Sequence, residues 1–200
     1  FIAAIEKAGQ RKNTLVIFTS DNGGIESLKN HYVGTVPDSP FNSENDPLRG
    51  QKATLYEGGT RVCAFVNWPG KLKPGRFTVP MHAVDWFPTL AELTGFVSDS
   101  DLKWDGVSQW PALTGAAPGN LTRSIYIAKP GQRSLRLGDW KIIAGEKGAT
   151  ELFNIAADPY EAADLSANEP AKLAELLGRL KTEHAKDLPD LPADLVDVPN

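Results

Sequence analysis

The sequence predicts an α/β fold: part of a larger α/β sheet domain, followed by a small antiparallel sheet with a packed helix. Three observations carry this. A short apolar, β-rich run, Thr14–Thr19, follows a helical segment and ends in turn residues, as a strand buried on both faces of a parallel sheet does. From about residue 123 the pattern changes to short strand candidates separated by turns, which reads as an antiparallel meander. After the meander, Leu173, Leu176, Leu177 and Leu180 recur at helical spacing.

The elements follow in order. The chain opens on Phe1 and runs through Phe1–Ala8 as the end of an amphipathic helix, with Gly9 as its stop. A start of this kind marks the sequence as a piece of a longer protein, with no leader to judge. Residues 22–50 are rich in Gly, Pro, Asn, Asp and Ser without lasting periodicity. Such a long loop inside a compact domain is functional or disordered. Arg61–Asn67 reads as a second strand, stopped by Pro69-Gly70. Asp85 is placed to cap a helix running to Leu93 and ended by Gly95, with Pro88 tolerated in the first turn.

The expected meander comprises Ser124–Ala128, Ser134–Leu137, Trp140–Ala144 and Glu151–Asn154, and Asn168 is placed to cap the leucine-striped helix. The stripe is read as core packing. These features divide the chain into 1–122, the sheet domain; 123–187, the meander and helix; and 188–200, an extended tail rich in Pro and Asp.

Composition removes several classes. A formal net charge of -4 argues against nucleic acid, which calls for a basic patch. No apolar run approaches the length of a membrane span. With Cys63 as its one cysteine, the chain holds no intrachain disulfide framework and no multi-cysteine zinc site. Oligomeric state is not written in the sequence.

Two segments carry chemistry. Asp21 and Asn22 stand where the first strand ends, and in open α/β sheets ligands bind at the carboxyl ends of strands. A carboxylate beside an amide offers hard oxygens, suited to Ca²⁺ or Mg²⁺ rather than a soft metal. Gly23 and Gly24 permit sharp turns and close approach. Asp-Asn-Gly-Gly is equally ordinary turn chemistry. In the second segment, Leu48–Val62, Lys52 offers a compact positive charge to an anionic substrate oxygen. The plainer reading has Arg49, Lys52 and Arg61 as solvated cations, or Arg61 paired with Glu57. His31, in the long loop, is a candidate for substrate contact; His82 and His184 read as structural or solvent-facing.

Taken together and in this order, Thr19-Ser20-Asp21-Asn22-Gly23-Gly24 and Leu48-Arg49-Gly50-Gln51-Lys52-Ala53-Thr54-Leu55-Tyr56-Glu57-Gly58-Gly59-Thr60-Arg61-Val62 resemble the sulfatase family. The likeness continues through Trp68-Pro69-Gly70, Val84–Leu90, Asp105-Gly106-Val107, Leu113-Thr114-Gly115, Gly138-Asp139-Trp140-Lys141 and Glu151-Leu152-Phe153-Asn154. It covers nearly the whole chain apart from the last dozen or so residues, and corresponds to the family's C-terminal half. Pro47-Leu48-Arg49-Gly50 looks most like the arylsulfatase B-like branch.

The resemblance implies an alkaline phosphatase-like fold with a small C-terminal sheet and helix. It implies Asp21 and Asn22 as Ca²⁺ ligands, with Asp21 also orienting or deprotonating the nucleophile, and Lys52 as a ligand of a sulfate oxygen. The family nucleophile is a formylglycine hydrate, made from Cys or Ser within Cys/Ser-x-Pro-x-Arg, that attacks sulfur. No such motif occurs in these 200 residues, and Cys63, followed by Ala-Phe-Val-Asn, is read instead as a small buried strand residue. The family's N-terminal aspartates, histidines and further lysine are absent too. By itself the chain is therefore expected neither to hydrolyse sulfate esters nor to bind Ca²⁺ tightly.

Two competing readings stay open at this point. One is a phosphate or phosphonate ester hydrolase of the same superfamily. Against it stands Asn22, since relatives using zinc or manganese place His after the Asp. The other is a non-catalytic pseudoenzyme or carbohydrate-binding module, which has no evident need for Asp21, Asn22 and Lys52 together. Sulfated glycans and aryl sulfates are both open as substrates. The loop from Ile25 to Pro47 is placed to shape the pocket mouth. Family likeness implies a periplasmic, secreted or lysosomal compartment, and Asn120-Leu121-Thr122 is a glycosylation sequon meaningful only in a eukaryotic secretory pathway.

Overall fold

A computed structural model describes residues 1–26, 43–119, 123–145 and 148–187. His31, most of the long loop, the Asn120 sequon and the tail from 188 lie outside the described residues. Helix α1 (Ile2–Lys7) ends near Gly9, whose φ of +68° is the left-handed conformation that stops a helix. A 3₁₀ turn at Arg11–Asn13 then feeds β1 (Val16–Thr19).

Among the described residues, strand β1 has no parallel neighbour. It pairs antiparallel with β2 (Ala64–Asn67), Val16 opposite Asn67 and Thr19 opposite Ala64. Segment 43–63 doubles back on β1, and Ser20 N–H donates to the Cys63 carbonyl, so β2 starts where β1 ends. An apolar run of this length does not encode the direction of its partner. Within these residues the ribbon is covered on one face only. Phe18 and Phe65 stack at 5.2 Å between ring centroids on an exposed face, 51% and 54% accessible. Cys63 is likewise exposed, contrary to the buried strand position expected of it. It lies ahead of β2, because residues 57–60 form a one-turn helix, α2 (Glu57–Thr60), which shortens the strand.

Helix α3 (Trp86–Thr94) ends at Gly95, φ +70°, as its sequence requires. Its start differs from expectation. A 3₁₀ turn at Ala83–Asp85 precedes it, His82 caps that turn, and the Asp85 carboxylate makes no cap bond to α3. The wholly buried carboxylate instead accepts from His82 N–H at 2.7 Å and Val107 N–H at 3.0 Å, and pairs with Arg123. Helix α4 (Trp110–Thr114), with Pro111 in its first turn and Gly115 at φ +75° after it, packs beside α3.

The meander is as expected: β3 (Ser124–Lys129), β4 (Gln132–Leu137), β5 (Trp140–Gly145) and β6 (Thr150–Asn154) form one antiparallel sheet in chain order. Lys129 pairs with Gln132 and Leu137 with Trp140, so Pro130-Gly131 and Gly138-Asp139 are two-residue hairpin loops, with both glycines at positive φ. Helix α5 (Pro170–His184) packs across β3, β4 and β5. Its cap is Glu169 rather than Asn168, because Pro170 takes the first helical position, where its fixed φ and missing N–H cost nothing.

Strand alternation gives this sheet two apolar faces. Leu135, Ile142 and Leu152 pack with Leu176 and Leu180 of α5, and Leu173 and Leu177 flank them. Ile143 and Phe153 point the other way and pack with Ile155 and Leu55, the last from the segment ahead of α2. The sheet thus sits between its own helix and the segment that carries Lys52. No described helix is long and apolar enough to cross a membrane.

Candidate functional site

The turn after β1 is held by its own polar groups. Ser20 Oγ donates to the Asn22 carbonyl at 2.9 Å, and Asn22 N–H donates to Asp21 Oδ1 at 2.9 Å. Asn22 Nδ2 donates to the Gly23 carbonyl at 2.9 Å, which commits the amide nitrogen and leaves Asn22 Oδ1 to accept or to ligate. Asp21 is exposed and Asn22 half-buried.

The next two residues dock this turn on the second segment. Gly23 N–H donates to the Gly59 carbonyl at 3.0 Å. A Cβ on Gly23 would lie 1.7 Å from the Gly58 carbonyl oxygen, so the two backbones meet only because residue 23 has no side chain. The Gly24 carbonyl accepts Lys52 N–H at 3.0 Å and Asn45 Nδ2 at 3.0 Å. The segment carrying Asp21 and Asn22 and the segment carrying Lys52, about thirty residues on in sequence, are therefore joined by direct backbone hydrogen bonds. The Lys52 side chain is exposed, and no ion pair engages its ammonium among the described residues. Its neighbour Ala53 sits at φ +70°, a left-handed conformation costing about 1 kcal/mol, and the Ala53 carbonyl accepts Lys129 Nζ of β3 at 2.8 Å.

Arg61 takes the structural role open to it: its guanidinium lies 3.8 Å from Glu57 Oε2. Glu57 itself is buried and belongs to a cluster that sequence reasoning did not assemble. Lys141 Nζ of β5 lies 2.9 Å from Glu57 Oε1 and 2.8 Å from Glu161 Oε1. Glu161 Oε2 accepts Glu57 N–H at 2.6 Å, and Arg136 approaches Glu57 Oε2 at 3.7 Å. Glu57, Lys141 and Glu161 are each 3% exposed or less. Burial pushes the Glu161 carboxyl above its ordinary range, against the pull of Lys141.

Beside the cluster, Arg49 lies 3.9 Å over the Tyr56 ring, pairs with Glu151 at 3.2 Å and donates to the Glu161 carbonyl at 3.2 Å. Tyr56 donates its hydroxyl proton to Glu151 at 2.6 Å. Burial and that acceptor push the phenol up to about 12. One sign was available in the sequence: Lys141 stands in β5 directly ahead of the apolar Ile142-Ile143, where a charge needs a partner. Its partner Glu161 lies in an irregular turn that no periodicity marks.

For a cation, the Asp21 carboxylate and Asn22 Oδ1 are adjacent hard oxygens, which fit Ca²⁺. They supply part of a shell that takes about six to eight oxygens. Among the described residues no group of three or more His, Cys, Asp or Glu is placed to hold a metal. His82 and His184 stand apart from this turn. His82 Nδ1 accepts Val84 N–H, and His184 Nδ1 lies 2.8 Å from Asp187.

The turn seated on a glycine-rich segment, with an antiparallel sheet and helix behind it, has the alkaline phosphatase-like fold of the similar structures. The chain belongs to the sulfatase family: the family model "Sulfatase" matches residues 1–96. It is 28% identical to arylsulfatase J of Mus musculus, over 88% of this chain and 36% of that protein. It is 30% identical to N-acetylgalactosamine-6-O-sulfatase of Bacteroides thetaiotaomicron, over 85% of this chain and 37% of that one.

Among solved structures, it is similar to Ps i-CgsB in complex with k-i-k-neocarrahexaose, with a TM-score of 0.77 at 30% identity over 90% of this chain and 38% of the other. It is also similar to the PsFucS1 sulfatase from Pseudoalteromonas sp., with a TM-score of 0.72 at 26% identity over 92% and 39%. The chain thus spans little more than a third of the length of these relatives.

Proposed function

We propose that this chain carries part of the active site of a sulfuric ester hydrolase, in which Asp21 and Asn22 ligate Ca²⁺ and Lys52 binds a sulfate oxygen. The observation that carries this reading is the bond from Lys52 N–H to the Gly24 carbonyl, which ties the lysine to the Asp-Asn turn. Bound Ca²⁺ would supply a Lewis acid for the transferring sulfate group. The ammonium of Lys52, free of carboxylate partners among the described residues, would add a positive charge for the same group. Asp21, with Oδ1 occupied by the Asn22 amide, keeps Oδ2 to ligate the ion or to hold the nucleophile's proton.

The substrate class that fits best is a sulfated glycan. Support comes from one relative named for N-acetylgalactosamine 6-O-sulfate and one similar structure solved with a neocarrahexaose. An aryl sulfate is the simpler probe of the same chemistry. The 200 residues contain no Cys/Ser-x-Pro-x-Arg, so the formylglycine nucleophile is expected from sequence outside them, and the isolated chain is expected to be inactive. A periplasmic, secreted or lysosomal compartment accords with this reading.

The test uses the intact protein that carries this chain, assayed with matched 4-nitrophenyl sulfate and phosphate. Sulfate turnover that is lost on chelation and restored by Ca²⁺ supports the reading. Asp21→Asn and Lys52→Met should each lower kcat/KM at least about a hundred-fold. A preference for phosphate would overturn it in favour of the phosphate or phosphonate hydrolase. Turnover by the isolated chain would overturn the expectation that it is incomplete.

A further inference from the structure

The segment that holds Lys52 is gripped by the C-terminal sheet at three points. Arg49 is bound by Glu151 of β6 and the Glu161 carbonyl, Ala53 by Lys129 of β3, and Glu57 by Lys141 of β5 together with Glu161. Only the last grip is fully buried, and it lies one residue from the glycines on which the Asp21–Gly24 turn rests.

The Glu57 grip looks built for placement rather than for stability. Burying two carboxylates on one ammonium costs more desolvation than it returns in attraction unless the remaining atoms are satisfied. Here they are not: Glu57 Oε2 has only the two arginines at 3.7 and 3.8 Å and accepts no hydrogen bond. Glu161 also holds a left-handed backbone, φ +55°, a strain that persists only where the surroundings over-determine it. An apolar trio of similar volume would give a steadier core. What it would lack is directionality. Glu161 Oε2 fixes the Glu57 N–H and Lys141 fixes the Glu57 side chain, so the first residue of α2 is held from both ends. The Gly58 and Gly59 carbonyls that follow face Gly23.

We propose that Lys141 and Glu161 are positioning residues that, through Glu57, set the Gly58–Gly59 backbone on which the Asp21-Asn22 turn is seated. The role rests on the reading of Asp21, Asn22 and Lys52 as site residues. It assigns to the C-terminal sheet a part in the chemistry: the sheet helps to fix the turn that follows β1. Neither residue touches substrate or metal, and both act through backbone contacts.

The test compares amide hydrogen exchange at Gly23 with that at Ile142 and Leu152 in the intact protein that carries this chain. In Lys141→Met, Gly23 protection should fall about ten-fold further than that of the two strand amides. Adding Glu161→Gln removes one of the two carboxylate charges that Lys141 served, leaves Glu57 with the two arginines and keeps an acceptor for Glu57 N–H, and should recover part of that loss. Leu176→Ala, which weakens the sheet's other face, should lower all three amides together. Equal losses at the three amides in Lys141→Met, or no recovery in the double variant, would overturn the proposal.

Titration with millimolar Ca²⁺, read by the Gly23 amide resonance, separates this from the ligand reading. Asp21→Asn should abolish the shift, and Lys141→Met should weaken it at least about three-fold. A shift indifferent to Asp21→Asn would sink the ligand reading while leaving the exchange result to stand or fall by itself.

Discussion

The Gly58 carbonyl oxygen stands where a side chain on Gly23 would be, 1.7 Å from the ideal Cβ position. Both partners are main chain, so neither yields by a rotamer change. Gly23→Ala should therefore destabilise the protein by about 3 kcal/mol or more, as overpacking against fixed atoms does. It should also break the Gly23–Gly59 hydrogen bond that seats the turn. Gly178 supplies the contrast: it lies within α5 with open space around its Cβ position. Gly178→Ala should stabilise by about 0.5–1 kcal/mol through helix propensity alone. Urea unfolding of both variants measures the two changes, and a neutral Gly23→Ala would show that the backbones do not meet this closely.

Leu176 and Ile142 are both fully buried and meet where α5 crosses the sheet. Leu176→Ala should cost about 3–4 kcal/mol, the lost transfer energy plus the cavity left between two packed layers. Leu173→Ala, at the edge of the same stripe, should cost about half as much. Chemical denaturation midpoints at constant slope give the comparison; equal costs would mean that the stripe packs evenly rather than around Leu176 and Leu180.

The C-terminal sheet and helix were legible because local signals agreed: paired turn residues at Pro130-Gly131 and Gly138-Asp139, short β-rich runs, and leucines at helical spacing. The Asp21–Lys52 relationship was legible only through motif likeness, since nothing in periodicity brings residues so far apart together. The antiparallel pairing of β1, the exposure of Cys63 and the capping of the turn before α3 by His82 were not legible. Each is decided by where another segment runs, and a four-residue apolar strand looks the same in either direction. The Glu57–Lys141–Glu161 cluster falls between: Lys141 ahead of two isoleucines signalled a buried charge, but its partner Glu161 lies in a turn no pattern marks.

Tyr56 should ionise at about 12, because burial and the Glu151 carboxylate disfavour its phenolate. A raised folded value means that the stability due to protonated Tyr56 is complete below the ordinary tyrosine value near 10 and is lost as pH rises through about 12. At pH 11 the folded protein and Tyr56→Phe should show the same phenolate absorbance at about 295 nm, and a difference should appear on adding denaturant. Tyr56→Phe should itself cost about 1 kcal/mol, from the lost bonds to Glu151 and Arg49. A phenolate step near 10 that vanishes in Tyr56→Phe while the chain is folded would contradict the contact.

His82 carries the opposite sign. Burial lowers its pKa below 6.5, outweighing the pull of Asp85, and Arg123 lowers it further. The neutral ring is the form the fold uses, since Nδ1 accepts Val84 N–H. Protonation removes that acceptor and sets a cation beside Arg123, with only Asp85 to offset it. Stability from neutral His82 is therefore complete above about 6.5 and is lost as pH falls through the lowered folded value. His82→Asn keeps a good capping acceptor without the titration. Between pH 7.5 and 5 the thermal midpoint of the parent should fall more steeply than that of His82→Asn, whereas His82→Ala should lose about 1 kcal/mol at both ends. The difference between the two curves reports His82, and parallel curves would show that its ring does not cap this turn.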